Sequence, residues 1–177
     1  MYEIRIHGRG GQGVKTTSHI LSRAAFLEGM KTQDFAMYGA ERRGAPVVSF
    51  CRISKDQVLT RGYIFEPDCV IVLDPTIGAK ACIAGLKKGG TVIVNSSRRI
   101  KEFGNAVFAD ATKIAMEEIG KPIPNAAILG SFLKAINIVK MESLTKAIKE
   151  ELTEDGHPEA VQGNVRALQL CWEKTNV

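Results

Sequence analysis

YEIRIHGRGGQGVKTTSHIL, residues 2 to 21, is the stretch whose reading decides the fold. It opens as a strand over residues 2 to 7, passes through glycines at 8, 10, 11 and 13, and enters a helix over 14 to 28. That helix carries Ile20, Ala24 and Leu27 at i, i+4 and i+7, with Leu21 and Ala25 alongside. Gly29 is its stop. At a strand–glycine–helix turn of this kind, exposed backbone N–H groups and the helix dipole converge on an anion. Two phosphate-loop spellings overlap here. Gly8, Gly10 and Gly13 fit G-x-G-x-x-G, and Gly8, Gly13, Lys15 and Thr16 nearly fit G-x-x-x-x-G-K-[ST], with Val14 intruding before the lysine. One inserted residue turns Lys15 by roughly 100° around the helix, which sets nucleotide hydrolysis aside. Asp74, the acid that such a site could have used beside magnesium, then reads as a strand-end turn residue before Pro75.

Outward from this stretch, strand and helix signals alternate. A short strand follows near 31 to 36. VVSFCRIS and QVLTRGYI read as an antiparallel hairpin turning at Lys55 and Asp56. CVIVLD (69 to 74) and TVIVN (91 to 95) are continuous apolar runs, as expected of parallel strands covered on both faces. Between them lies a helix over 76 to 88, and after them a strand AVFA (106 to 109) and a helix over 111 to 119. Beyond Pro124 the pattern is helical: Asn125 can cap NAAILGSFLKAINIV, Glu142 to Leu152 is amphipathic, and PEAVQGNVRALQLCWE closes the chain. The expected fold class is α/β: a doubly wound, mostly parallel sheet with an antiparallel hairpin insertion and a helical C-terminal end, in a single domain over residues 1 to 177.

Composition narrows the function. The 177 residues are 45% hydrophobic and 24% charged, the make-up of an ordinary globular domain. MYEIRIHGRG lacks a signal-peptide layout, and the apolar runs are too short to cross a bilayer, so a cytoplasmic protein without membrane segments is expected. Cys51, Cys69, Cys82 and Cys171 form no C-x-x-C pair and have no histidine at metal spacing; no iron–sulfur cluster or zinc held by this chain alone is expected. Cys69 and Cys171 read as small buried hydrophobes.

The basic excess is local: residues 1 to 62 hold 10 Lys or Arg against 5 Asp or Glu, whereas residues 63 to 177 hold 14 against 14. Beside a glycine loop, this suits a polyanionic ligand or an acidic partner surface. No interleaving of aromatic and basic residues argues for nucleic acid. A nicotinamide dinucleotide would need an acid about 20 residues on for its ribose, and Asp34 is the candidate. A free-standing dinucleotide-binding protein using Gly8, Gly10, Gly13 and Asp34 therefore stays open, as does a loop whose glycines serve only a tight turn. His7, His19 and His157 show no partner in sequence and receive no proton-transfer role; His7 reads as lying on the sheet's polar edge.

IRIHGRGGQGVKTTSHILSRAA, followed by MYGAERRGAPVVSFCRIS and then PDCVIVLD, resembles the gamma subunit of the pyruvate and 2-oxoacid ferredoxin (flavodoxin) oxidoreductases. The resemblance spans essentially the whole chain, including TVIVNSS and NAAILGSFLKA. It implies a non-redox subunit working beside alpha, beta and delta type subunits that carry thiamine diphosphate and iron–sulfur clusters. Such an assembly oxidises a 2-oxoacid with coenzyme A to acyl-CoA, carbon dioxide and reduced ferredoxin. The chain itself has no G-D-G thiamine motif. On this resemblance the glycine loop becomes a site for the phosphates of coenzyme A, with Gly10, Gly11, Gln12, Gly13, Lys15 and Thr16 as the contacting residues. Glu41, Arg42 and Arg43, in the AERRG loop, become an interface with a partner subunit. Arg98 and Arg99 read as a solvated pair.

Overall fold

A computed structural model describes residues 1–37 and 44–177. In chain order it contains β1 (Tyr2–Arg9), α1 (Val14–Leu27), β2 (Lys31–Ala36), β3 (Pro46–Ser54), β4 (Cys69–Val72), the single turn α2 (Ala79–Cys82) and β5 (Thr91–Asn95). These are followed by β6 (Val107–Ala109), α3 (Ala111–Ile119), α4 (Asn125–Ala135), α5 (Met141–Glu154) and α6 (Val161–Lys174). The six strands form one sheet in the order β2-β3-β1-β4-β5-β6. β1, β4, β5 and β6 are mutually parallel, whereas β3 runs antiparallel to both β1 and β2. The α/β class, the mixed sheet and the helical C-terminal end are all present.

The antiparallel element sits in a different place from the expected hairpin. QVLTRGYI (57 to 64) is not a strand. β3 is already flanked by β1 on one edge and β2 on the other, so no ladder position is left for it. The hairpin is instead β2–β3, with Asp34 opposite Cys51 and Phe35 opposite Phe50. The expected helix over 76 to 88 is also largely absent. A 3-10 turn over Pro75–Ile77 and the one turn of α2 replace it. Gly78 and Gly85 stand at φ 98° and 74°, outside the right-handed helical region, and interrupt the segment.

Alternation along the strands divides the apolar residues between two faces. Ile4, Ile6, Cys51, Ile53, Cys69, Ile71 and Ile93 pack beneath α1, α4, α5 and α6 in the main core. Val70, Val72, Val92 and Val94 point the other way, against Ala79, Cys82, Phe103 and Ala106. All four cysteines are buried; burial pushes the Cys51 and Cys69 thiols far up, then the charges of Asp34 and Asp68 respectively.

On the β1–β3 part of the second face two arginines are buried. Arg5 donates to the carbonyls of Ile64 (3.2 Å), Phe65 (3.3 Å), Cys82 (3.1 Å) and Ala84, and through Nε to His7 Nε2 (3.0 Å). Arg52, 1% exposed, donates to Glu3 Oε1 (2.9 Å), Gln33 Oε1 (2.7 Å) and the Gly62 carbonyl (3.0 Å). The irregular segment between β3 and β4 is thus fastened across the sheet through its carbonyls. Among the described residues no helix is long and apolar enough to cross a membrane.

Candidate functional site

β1 delivers the chain at Arg9 and α1 receives it at Val14, leaving Gly10 to Gly13 to make the turn. Gly13 takes up the left-handed conformation, φ 74° and ψ 32°, immediately before α1. It also faces the first residue of α4: a Cβ at Gly13 would lie 2.7 Å from Asn125 Nδ2 and 2.8 Å from Asn125 Cβ. Both conformation and contact therefore call for glycine at this position.

Side chains hold the turn from behind. Gln12 Oε1 accepts from the Arg9 N–H (2.7 Å), and Gln12 Nε2 donates to Asp74 Oδ2 (3.0 Å). Asp74, just past β4, accepts at Oδ1 from the Thr76 N–H (2.9 Å) and hydroxyl (2.6 Å). The Arg9 guanidinium stands 3.3 Å from Asp74 Oδ2 and donates to the Gly44 carbonyl (3.0 Å) and Thr76 Oγ1 (3.0 Å). Partial burial pushes the Asp74 carboxyl up, but the hydrogen bonds from Thr76 and Gln12 and the charge of Arg9 outweigh it and hold the carboxyl below its ordinary value. Asp74 is thus the strand-end turn residue expected, and it ties the glycine turn to the neighbouring strand as well.

The amides of the turn divide into two sets. Gly10 N–H donates to the Ala45 carbonyl (2.9 Å) and Gln12 N–H to the Arg9 carbonyl (3.1 Å). Gly11, Gly13 and the first-turn residues Val14, Lys15 and Thr16 have no acceptor for their N–H groups among the described residues. These unshared donors border an open cleft of about 680 Å³. It is lined by Arg9, Gly10, Gly11 and Gly13 to Thr16 together with Val47, Ile123 and Asn125. No Asp or Glu is among these lining residues. The N-termini of α1 and α4 both open on the cleft. Lys15 is exposed at its rim and has no carboxylate within 4 Å among the described residues.

Gly10, Gly11, Gly13, Lys15 and Thr16 thus line the cleft together, while the Gln12 side chain braces the turn through Arg9 and Asp74. Gly10 reaches the cleft with its N–H already engaged. Arg9, Val47 and Ile123 are not singled out by the sequence, which offers Asn125 only as a helix cap. Glu41, Arg42 and Arg43 fall outside the described residues. Arg98 and Arg99 are exposed and line a separate depression with Ser96, Ser97, Lys113 and Lys174.

The dinucleotide reading does not fit this geometry. It requires Asp34 on the strand beside β1, but β3 occupies that place and Asp34 is two strands away. Asp34 Oδ2 instead meets His19 Nδ1 at 3.1 Å, and His19 Nε2 lies 3.3 Å from Glu151 Oε2. His7 is not on a polar edge: it is buried on the central strand β1, where burial first and then the Arg5 charge push it down to about 4. Asn125 is not the cap of α4. Pro124 occupies the N-cap position, and Asn125 Oδ1 accepts from the next N–H, that of Ala126, at 2.8 Å. Among the described residues no three His, Cys, Asp or Glu side chains gather in a metal-binding arrangement.

The family model described as pyruvate ferredoxin/flavodoxin oxidoreductase matches residues 3–173. The common gamma subunit of the pyruvate/ketoisovalerate oxidoreductases of Pyrococcus furiosus is 45% identical over 186 residues, covering 100% of this chain and 98% of that protein. The crystal structure of the pyruvate oxidoreductase subunit PORC of Thermotoga maritima matches with a TM-score of 0.85 and 34% identity, over 99% of this chain and 97% of that one. A 2-oxoglutarate:ferredoxin oxidoreductase of Magnetococcus marinus, solved with 2-oxoglutarate, coenzyme A and succinyl-CoA bound, shares the fold. Its TM-score is 0.77 and its identity 19%, over 96% of this chain and 30% of that one. The chain accordingly belongs to the pyruvate ferredoxin/flavodoxin oxidoreductase family, as a gamma-type, or PorC-type, subunit of a 2-oxoacid:ferredoxin oxidoreductase complex.

Proposed function

We propose that this subunit helps to form the coenzyme A site of a pyruvate synthase and contributes an assembly interface to it, the complex converting pyruvate to acetyl-CoA. The observation that carries the reading is the cleft at which the amides of Gly11, Gly13 and the first turn of α1, without acceptors among the described residues, meet Lys15, with no Asp or Glu among its described lining residues. Coenzyme A has the pyrophosphate of a dinucleotide without the nicotinamide, and its phosphates lie far from the reacting thiol. They suit a site with donors and a cation but no general base. The coenzyme A bound in the Magnetococcus marinus enzyme supports the choice of ligand, and the similarity to the pyruvate oxidoreductase subunit of Thermotoga maritima supports pyruvate.

The role of this chain is to bind and orient. Thiamine diphosphate and the iron–sulfur clusters, which supply decarboxylation and electron transfer, are assigned to alpha, beta and delta type partners, with ferredoxin reached through the complex. The isolated chain is then inactive. The reading is tested in the assembled complex with Lys15→Ala. Loss of one charge-assisted contact, about 1.5–3 kcal/mol, raises the coenzyme A concentration at half-maximal rate roughly tenfold or more. Decarboxylation measured without coenzyme A changes far less. An unchanged coenzyme A dependence returns the glycines to a purely structural turn.

A further inference from the structure

We infer that Asn125 is a ligand-contacting residue of this cleft: from the first turn of α4 it offers its side-chain N–H groups to a diphosphate seated on the α1 turn. The inference rests on the coenzyme A reading and adds a side-chain donor from α4 beside the glycine turn. Three features of Asn125 lead to it.

Asn125 stands at the start of α4 and lines the cleft with the glycine turn. Its Oδ1 accepts from the Ala126 N–H at 2.8 Å, which fixes which end of the carboxamide is which. Nδ2 is then the outward end. It lies against Gly13, 2.7 Å from where a Cβ would be, and has no acceptor among the described residues. Among the described residues, a carboxamide whose oxygen is engaged and whose N–H groups have no acceptor shares the cleft with Lys15 and the unpaired amides of the α1 turn, so that donors from two helices meet one anion. Among the described residues that line the cleft there is no carboxylate to compete for them. Donors from the starts of two helices suit two linked phosphate groups better than one.

The same geometry supplies a variant that separates ligand binding from folding. In Asn125→Asp a carboxylate oxygen still accepts from the Ala126 N–H, and a negative charge in the first turn of α4 agrees with the helix dipole. Only the outward donor changes, becoming an anionic acceptor that faces the phosphates. The full-length chain is titrated with inorganic pyrophosphate, and the assembled complex with coenzyme A. Asn125→Asp weakens pyrophosphate binding and raises half-saturating coenzyme A by roughly tenfold or more, with the melting temperature unchanged or higher. Asn125→Ala, which removes the donor without adding charge, has a smaller effect in the same direction.

If Asn125→Asp leaves both titrations within twofold of the parent while Lys15→Ala shifts them, the inference is overturned and the coenzyme A reading survives. If neither variant shifts them, both fail. A fall in melting temperature that accounts for the whole loss of binding also overturns it, because Asn125 would then be serving α4 alone.

Discussion

Replacing Gly13 by alanine separates the two demands placed on that residue. Its backbone lies in the left-handed region, where an L side chain costs about 1–2 kcal/mol. Gly120, which ends α3, lies in nearly the same conformation at φ 73° and ψ 13°, but a Cβ there meets nothing within 4 Å. Gly120→Ala therefore measures the backbone cost alone. Gly13→Ala adds a methyl 2.8 Å from Asn125 Cβ, an atom fixed to the α4 backbone that cannot rotate away. Crowding of this kind costs a further ~1–3 kcal/mol. The expected loss is about 2–5 kcal/mol at Gly13 against about 1–2 kcal/mol at Gly120, read from urea unfolding of the full-length chain with equal slopes. In an Asn125→Gly background the obstructing Cβ is gone, and Gly13→Ala should fall to the Gly120→Ala value. A Gly13→Ala cost no larger than that of Gly120→Ala, or one that persists in the Asn125→Gly background, would refute the packing of α4 against the turn.

His7 predicts acid sensitivity. Burial and Arg5 lower it from 6.5 to about 4, so the unfolded chain takes up a proton over that window that the folded chain refuses, and stability falls as pH drops through it. The fall amounts to about 3 kcal/mol across the window. His7→Gln, which keeps an acceptor for Arg5, should flatten the urea midpoint between pH 7 and pH 4.5; a curve parallel to the parent's would refute the assignment. Arg42→Ala with Arg43→Ala should weaken copurification with the other subunits while leaving the melting temperature of the chain nearly unchanged. Normal assembly together with a collapse in stability would contradict the interface role.

What the sequence disclosed was whatever its local pattern carried. Continuous apolar runs located β4 and β5, the 3.6-residue period located α1, and the glycines located the turn. QVLTRGYI misled because strand propensity says nothing about which sheet edges are vacant, and β2 had already taken the free edge of β3. The site was half legible for a similar reason. Gly10 to Thr16 are contiguous, but Gln12 meets Asp74 across 62 positions and Gly13 meets Asn125 across the domain. His19 likewise pairs with Asp34 and Glu151 only after α1, β2 and α5 have packed. The one available hint at Asn125 was its place at a helix start, which pointed to capping rather than to the cleft.

The buried arginines have a consequence for how the surface can change. Arg5 and Arg52 grip the passage between β3 and β4 at the carbonyls of Gly62, Ile64 and Phe65. A carbonyl is the same whichever residue bears it, so the grip does not depend on side-chain identity there. The backbone route is fixed from inside the sheet, and an outward-facing residue such as Phe65, 74% exposed, can be exchanged without loosening it. Two interior cations thus free a stretch of exterior to vary with whatever it faces, while the path of the chain beneath stays constant.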